Sequence, residues 1–263
     1  MMSTKVENIN QKIQFLTKSG IRLHILNILS KNPQNIKELV NTTQITYSTL
    51  SSNLHKLQQE KYIQKIKNKY YLTQTTKMYL NIILEFKNAI KLINQFDEFW
   101  DKHDVKQINL DSLKNITSLH DSQLIKTTPI DIYKTHNTIK GQLLMSYNIK
   151  AIFPYLHPDY PVIIEQVLQK GGNVELIIND EIFESLMDNI ETEIKKKSIG
   201  NGCLKVHELK ENLNLYLIIS DKNTNLGLFK SDGSFDQNRL LTSENQQAIK
   251  WANNLFENVK ANW

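Results

Sequence analysis

The chain has 263 residues, which is enough for one large domain or two of ordinary size, and its 40% hydrophobic fraction can fill packed cores. A single cysteine, Cys203, excludes an internal disulfide and a multi-cysteine metal site, and so favours the reducing cytoplasm. No stretch approaches the ~18 apolar residues of a membrane span, and the first residues lack the apolar core of a signal peptide. We therefore expect a cytoplasmic protein without a membrane partner.

The net charge of +5 is unevenly distributed along the chain. Residues 1–80 contain 12 Lys or Arg and 3 Asp or Glu, whereas residues 81–263 contain 20 and 24. The basic segment suits a domain that binds nucleic-acid phosphates and releases their counterions. The alternative is that the positive charge of this helical domain serves only its solubility.

Apolar residues at helical spacing predict a first helix that starts near Ile9 and ends near Ser19-Gly20. A second helix is predicted over 21–29, and Lys31-Asn32-Pro33 ends it. A shorter apolar face over 36–40 predicts a third helix.

The segment 46–61 has the pattern of a DNA-recognition helix. The apolar pattern breaks over 41–44, Thr46 is placed to cap a helix, and leucines then recur at positions 50, 54 and 57. The remaining face is short and polar, which suits an approach to base edges and phosphates. An ordinary amphipathic helical pair is the alternative. The candidate DNA contacts on this face are Tyr47, Ser48, Ser51, Ser52 and His55.

A β-hairpin is predicted after this helix, since residues 62–66 alternate like a strand, 67–69 form a compact turn and 70–72 return. Helices followed by such a hairpin form a winged helix. The wing lysines, Lys65, Lys67 and Lys69, are expected to contact the DNA backbone without reading sequence.

Residues 20–80 resemble the winged-helix domain of the ArsR and MarR classes through the stretches KELV, STLSSNLHKL, QEKYI and YYLT. The resemblance implies double-stranded DNA as a partner. Metal-sensing ArsR proteins carry cysteines on or near the recognition helix, and this sequence has none before Cys203, so thiolate metal sensing is not expected.

Thr73 is placed to cap a long helix whose apolar positions continue to Trp100. Such a helix commonly forms the seam of a homodimer or docks onto a second domain, and the alternative is that it covers a single core. The polar stretch 101–111 is predicted to be a hinge. The predicted organisation is a winged-helix domain over 1–80, a linker helix and hinge over 81–111, and an effector domain over 112–263.

Strand and helix patterns alternate beyond the hinge, which predicts an α/β domain. The predicted fold class of the whole chain is therefore an α+β winged helix-turn-helix domain, a linker helix and an α/β C-terminal domain. Strands are predicted over 142–147, 174–178, 204–209, 213–220 and 226–230, and helices over 162–168, 182–194 and 246–259.

Residues 115–261 resemble the effector domain of archaeal methanogenesis regulatory proteins. The carrying positions are Gly227, Asp232-Gly233, Phe235-Asp236, Trp251 and Phe256. Together with the winged helix, they indicate an archaeal transcriptional regulator.

The stretch 212–229 also resembles half of a phospholipase D-like fold, in which His-x-Lys precedes Asp by four residues. Asn214 and Tyr216 occupy the His and Lys positions ahead of Asp221, so the nucleophile and the phosphate-binding cation are absent. The resemblance, shared with TrmB-type sensors, implies that Asn214, Tyr216 and Asp221 bind a small molecule without catalysis.

The function predicted from the sequence is therefore a homodimeric, ligand-responsive regulator that binds double-stranded DNA. An enzyme, or an adaptor that uses the winged helix for protein contacts, is the alternative. The histidines are scattered singly along the sequence and no nucleotide-binding or hydrolase motif is present, so neither a cofactor nor a metal is expected.

Overall fold

A computed structural model describes residues 2–209 and 213–262, with side chains from residue 9 onward. The chain divides between Asn88 and Ala89 into two units, the first with one hydrophobic core and the second with two. This division lies inside the long helix that follows the wing, and not at residue 80 or within the predicted hinge 101–111. No helix in the described part of the chain is long and apolar enough to cross a membrane.

The first unit has the element order that the sequence predicts. It contains four helices, a β-hairpin and the start of a long helix: α1 (Met2–Thr17), α2 (Gly20–Lys31), α3 (Ile36–Thr43), α4 (Tyr47–Gln59), β1 (Ile63–Ile66), β2 (Lys69–Leu72) and α5 (Gln74–Gln95).

Three leucines attach α4 to the core of this unit. Leu50, Leu54 and Leu57 are almost entirely buried. Because burial of a leucine side chain contributes about 1.5–3 kcal/mol, the stripe holds one face of α4 inward and leaves the opposite face to solvent.

The turn between α3 and α4 is held by local hydrogen bonds. Asn35 and Glu38 form a capping box at the start of α3, and Gln44 adopts a left-handed conformation that ends it. Thr46 is the N-cap of α4, as predicted, but its hydroxyl donates to Thr49 Oγ1 at 2.9 Å and caps no backbone N–H. The two helices thus form a helix-turn-helix.

The second unit adds seven helices and eight strands after α5. These are α6 (Asp97–Trp100), β3 (His103–Asp104), α7 (Leu110–Lys114), β4 (Gln123–Lys126), α8 (Lys134–Leu144), β5 (Asn148–Phe153), α9 (Asp159–Gln169), β6 (Asn173–Asn179), α10 (Asp180–Asp188), α11 (Thr192–Gly200), β7 (Leu204–Leu209), β8 (Leu215–Ser220), β9 (Thr224–Lys230), β10 (Arg239–Ser243) and α12 (Gln246–Asn262), with a 3-10 turn at Ile116–Leu119.

The strands form one mixed sheet in the order β4-β10-β9-β8-β5-β6-β7, and β3 pairs with β9. β5, β6 and β7 are parallel to one another, and the other pairs are antiparallel. Every residue of β8 is buried, because helices cover both faces of the sheet centre.

The two faces of β8 contribute to different cores. Leu215, Leu217 and Ile219 lie in one core with α12, whereas Tyr216 and Ile218 lie in the other with α8 and α9. This alternation follows from the two-residue period of a strand.

Most of the elements predicted in this half are present, and three predictions are wrong. Residues 142–147 end α8 instead of forming a strand, because Ile139 and Leu143 follow helical spacing. The helix predicted over 182–194 is divided into α10 and α11. The hinge predicted over 101–111 is part of the second unit, since His103 is buried and β3 pairs with β9.

Candidate functional site

The outer face of α4 carries all five candidate DNA contacts. Tyr47, Ser48, Ser51, Ser52 and His55 are exposed, and the Tyr47 side chain is 59% exposed. The helix therefore presents a continuous polar surface opposite its buried leucine stripe. Lys56, which the sequence reasoning did not single out, is also exposed beside His55 and adds a positive charge.

The wing is a tight antiparallel hairpin in which Ile63 pairs with Leu72 and Ile66 with Lys69. Lys67 and Asn68 both have positive φ, of 46° and 67°, as a two-residue type I′ turn requires. Lys65, Lys67 and Lys69 are all exposed, and Lys65 Nζ lies 5.4 Å from the centroid of the Tyr70 ring. This cation–π contact holds the Lys65 ammonium near the Tyr70 ring, while Lys67 lies in the turn and Lys69 is the first residue of β2.

The wing is fixed to the helical part of its unit. The Tyr70 backbone N–H donates to the Gln34 carbonyl at 2.8 Å, at the segment that leads into α3. The hairpin and the helix-turn-helix are therefore held together by a backbone hydrogen bond as well as by apolar packing.

The three residues predicted to bind a ligand do not converge on one site. Tyr216 is fully buried, and its hydroxyl lies 2.5 Å from that of Tyr160. Asp221 lies beyond the other end of β8, where it accepts hydrogen bonds from the backbone N–H groups of Tyr147 and Asn148 at 2.6 and 2.9 Å. Although burial acts to raise the pKa of Asp221, these hydrogen bonds hold it below its usual value.

Asn214 is half-buried just before β8. Tyr216 has no surface for a ligand, and Asp221 is occupied in fixing the start of β5. Asn214, Tyr216 and Asp221 therefore do not line a common cleft.

A cleft of about 460 Å³ lies instead beyond the carboxyl end of β5. Three segments form it: the start of α8 with the residues before it, the loop from β5 to α9, and the loop before β10. Ligands in α/β folds bind outside the carboxyl ends of strands. Its wall residues include Tyr155, Leu156, Ile139 and Phe235, and its polar rim includes His136, His157, Asp236, Asn238 and Arg239.

An aromatic floor shapes this cleft. The Tyr155 ring stacks on the Tyr216 ring with centroids 5.6 Å apart, and Phe235 packs against both tyrosines. A Cβ at Gly227 would lie 3.0 Å from the Phe235 ring, so glycine makes this approach possible. Gly227 and Phe235, singled out by resemblance, are therefore structural supports of the cleft.

A charged network connects the cleft to α6. Arg239 donates to Asp236 at 2.7 Å and to Glu98 at 3.1 Å, and buried His103 contacts Asp236 at 3.0 Å. Glu98 also accepts from Lys126 and Lys102, and these bonds, with that from Arg239, lower the pKa of Glu98 to about 2. The loop before β10 is thus held to the helix that directly follows α5.

Two histidines from different segments meet at the rim. The rings of His136 and His157 are stacked with centroids 3.6 Å apart, and His136 Nε2 donates to Asp159 Oδ2 at 3.1 Å. Hydrogen bonds from Lys140 and His136 lower the pKa of Asp159, and burial and His136 lower that of His157. The sequence reasoning missed this cluster because the histidines lie far apart in sequence.

These features define a winged-helix domain followed by an α/β domain with a cleft. Two family models match the same two parts of the chain. Residues 10–95 match the HVO_A0261 N-terminal domain, and residues 132–262 match the middle domain of the methanogenesis regulatory protein FilR1.

A curated relative is also a methanogenesis regulatory protein. The methanogenesis regulatory protein FilR1 of Methanothrix harundinacea (strain 6Ac) is 22% identical to this chain over 250 residues. The match covers 94% of this chain and 56% of that protein, so the chain spans little more than half of its relative's length. The predicted resemblance to methanogenesis regulatory proteins is confirmed, whereas the ArsR, MarR and phospholipase D resemblances remain predictions.

Two solved structures are distantly similar to this chain. TrmBL2, an archaeal chromatin protein, matches over 90% of each chain with 12% identity and a TM-score of 0.42. The polyphosphate kinase of Porphyromonas gingivalis matches 54% of this chain and 26% of its own, with 11% identity and a TM-score of 0.37. Similarity at this level assigns no function.

Proposed function

We propose that the protein is a sequence-specific transcriptional regulator that binds double-stranded DNA as a homodimer and responds to a small molecule through its second unit. The observation that supports DNA binding most directly is the exposed polar face of α4, which adjoins a basic wing. A helix-turn-helix uses such a face to contact base edges in the major groove.

The recognition helix and the wing have separate roles in this proposal. The short side chains of Ser51 and Ser52 allow close approach to the groove floor, where hydrogen bonds distinguish base pairs. Lys67 and Lys69 lie at the hairpin tip, where they neutralise phosphates and position the protein without distinguishing sequence.

An exposed apolar face on α5 supports the homodimer. Met78, Ile82 and Phe86 are more than 60% exposed at four-residue spacing, and so lie on one side of the helix. Ile9 and Ile13 of α1 are also exposed and, with Ile82, line an apolar groove of about 280 Å³. A second copy is the expected occupant, because two-fold pairing gives two recognition helices that reach successive major grooves ~34 Å apart.

DNA binding is tested by fluorescence anisotropy on fragments of the protein's own promoter region at increasing salt. We expect affinity to fall steeply, since each phosphate contact contributes about −0.9 to the slope of log affinity against log salt. Lys67→Ala and Lys69→Ala should weaken binding equally on all sequences and make this slope shallower. Ser51→Ala and Ser52→Ala should change which sequences are preferred.

The two sets of variants act as controls for each other. A reversed result, in which the lysine variants alter preference and the serine variants do not, contradicts the assigned roles. The absence of salt-dependent binding to any DNA favours the alternative that the winged helix contacts proteins.

The cleft of the second unit is the proposed effector site. Its aromatic floor and polar rim suit a small organic molecule with a planar or apolar body and hydrogen-bonding groups. The Arg239 bonds to Asp236 and Glu98 give a physical route from the cleft to α6, which follows α5 directly. A ligand that moves the loop before β10 would change the contacts of this helix, and a coupling of ~1–3 kcal/mol alters DNA affinity roughly 5- to 150-fold.

A thermal-shift screen of the full-length protein against metabolites tests the effector site. Leu156→Trp fills the cleft with an indole and should abolish any shift. Val162→Trp also introduces an indole, but at an exposed position of α9, and should leave the shift unchanged. Equal responses of the two variants would place the ligand elsewhere.

The proposal includes no catalytic step. Neither Asn214 nor Tyr216 supplies the nucleophile or the cation of the phospholipase D pair, and Tyr216 is enclosed by aromatic rings. Phosphodiesterase activity that is lost in an Asp221→Asn variant would instead identify an enzyme.

A further inference from the structure

The rim of the cleft carries a group of side chains with the chemistry of a metal site, and the proposed function does not use it. The rim cluster consists of His136 from α8, His157 from the loop after β5, and Asp159, the first residue of α9. One ligand atom from each lies within 4.8 Å of the others, and all three residues are partly buried. Among the described residues, no other group of three His, Cys, Asp or Glu side chains is gathered in this way.

We propose that the rim cluster binds a divalent first-row transition metal ion such as Zn²⁺ through two imidazole nitrogens and one carboxylate oxygen. This ligand set is typical of sites with three protein ligands and an open fourth position. Imidazole favours zinc, copper and nickel over Mg²⁺ and Ca²⁺, which prefer sites made only of oxygen ligands.

The spacing of the first two ligands fits such an ion. His136 Nε2 and Asp159 Oδ2 are 3.1 Å apart. Ligands at about 2.0–2.2 Å from a tetrahedral metal are separated by roughly 3.4 Å. The ion therefore replaces the hydrogen between these atoms with little movement, and the imidazole proton moves to Nδ1.

The third ligand already presents a lone pair towards Asp159. The Asp159 backbone N–H donates to His157 Nδ1 at 3.1 Å, so this nitrogen is an acceptor. Rotation of the His157 ring away from the N–H brings Nδ1 to the ion. One ligand atom of His157 already lies within 4.8 Å of those of His136 and Asp159, so the required movement is short.

Lys140 is the competing group in this site. Its ammonium lies 2.8 Å from Asp159 Oδ2, the same oxygen that faces His136. A metal ion and a lysine ammonium cannot share this oxygen without repulsion, so Lys140 must turn to solvent. Its side chain is 45% exposed and has room to do so. Removing the ammonium is therefore expected to strengthen metal binding.

The rim cluster borders the cleft. His136 and His157 both line it, together with Tyr155 of the wall and Asn238 of the rim. The bound ion can accept a water molecule or an oxygen of a small ligand there. The cluster therefore adds a metal-dependent binding point to the rim.

Isothermal titration calorimetry of EDTA-treated, dialysed full-length protein with Zn²⁺ tests the site. We expect one ion per chain, and Co²⁺ should give the visible absorption of a tetrahedral site. His136→Gln, His157→Gln and Asp159→Asn should each weaken binding at least tenfold, as the loss of one of three ligands implies. Lys140→Met should strengthen it several-fold.

His120→Gln is the matched control, because His120 is exposed and also lies beside an aspartate, Asp121, at 3.1 Å. Binding by this variant should equal that of the wild type. Circular dichroism melting of each variant shows whether it is folded, and Lys140→Met gives a gain that misfolding cannot produce. Zn²⁺ binding that is absent, or unchanged in both His136→Gln and His157→Gln, overturns the proposal.

DNA anisotropy measured on the same preparations separates this proposal from the proposed function. Salt-dependent DNA binding by a protein that takes up no metal would reject the rim site alone. Metal uptake at the rim by a protein that binds no DNA would retain the metal site and reject the regulator.

Discussion

The candidate DNA contacts and the candidate effector cleft are built in different ways. The residues of the first unit that are proposed to contact bases lie on one short helix, α4, whereas three segments separated by many residues meet at the cleft of the second unit. Helical periodicity alone determines which side of α4 faces solvent, because its leucines must be buried. The lining of the cleft depends on how strands are ordered in a sheet, which local patterns do not specify.

The largest expected effect tests whether the two units are independent. Leu54→Ala removes a side chain that is 1% exposed and should destabilise the first unit by ~2–5 kcal/mol. The three tryptophans, at positions 100, 251 and 263, all belong to the second unit. Urea unfolding should therefore shift when followed by circular dichroism and remain unchanged when followed by tryptophan fluorescence.

Leu217→Ala is the matched change in the second unit, since Leu217 is also buried. It should shift the fluorescence transition. Identical shifts in both signals for either variant would show that the units unfold together. The two units would then differ in how their sites are built but not in their stability.

The next effect concerns the apolar face of α5. Phe86→Glu places a charge on a side chain that is 63% exposed, and should convert the homodimer to a monomer and weaken DNA binding roughly 10- to 100-fold, about 1.4–2.7 kcal/mol. Light scattering at micromolar concentration and DNA anisotropy measure the two effects. Asn88→Glu changes the charge equally at another exposed position and should have little effect. If the wild-type protein is a monomer both with and without DNA, the α5 face is not a dimer interface.

The sequence predicts the first unit well because its signals are local. The helix-turn-helix, the wing and the exposed contact face follow from apolar spacing, a turn between lysines and the cap at Thr46. In the second unit, β4, β5 and β10 were not predicted, since only their pairing with neighbouring strands identifies them. The rim cluster was not predicted because the chain crosses the whole of β5 between His136 and His157.

The misplaced ligand site has a specific physical cause. Counting back from Asp221 correctly locates a strand. A strand, however, directs alternate residues to opposite faces and is fully extended, so residues at its two ends are far apart. Tyr216 therefore lies near the carboxyl end of β5, and Asp221 lies near its amino end. Sequence spacing taken from a catalytic family does not predict convergence once the catalytic side chains are absent.

A smaller effect tests whether Tyr216 is a structural residue. Tyr216→Phe removes a buried hydroxyl that is hydrogen-bonded to Tyr160, and should destabilise the second unit by ~1–3 kcal/mol. In the double variant Tyr160→Phe/Tyr216→Phe the loss should be less than the sum of the single losses, because the two hydroxyls that bond each other are removed together. Fluorescence-detected urea unfolding gives these values. A stable Tyr216→Phe variant that loses effector binding would restore the ligand role.

The smallest effect compares two helix caps within the first unit. The Asn35 side chain accepts the Glu38 N–H at 3.0 Å, so Asn35→Ala should cost ~1 kcal/mol. Thr46 occupies the same position at the start of α4, but its hydroxyl contacts Thr49 and caps no backbone N–H, so Thr46→Ala should cost only a few tenths of a kcal/mol. Urea unfolding followed by circular dichroism distinguishes the two. Equal losses would mean that Thr46 caps α4 in solution.

A weak cap at α4 leaves its first N–H groups available, and because a helix N-terminus attracts anions, these groups can bind a DNA phosphate. Thr46→Ala should therefore reduce DNA affinity no more than about twofold, whereas a large loss would show that the threonine itself contacts DNA.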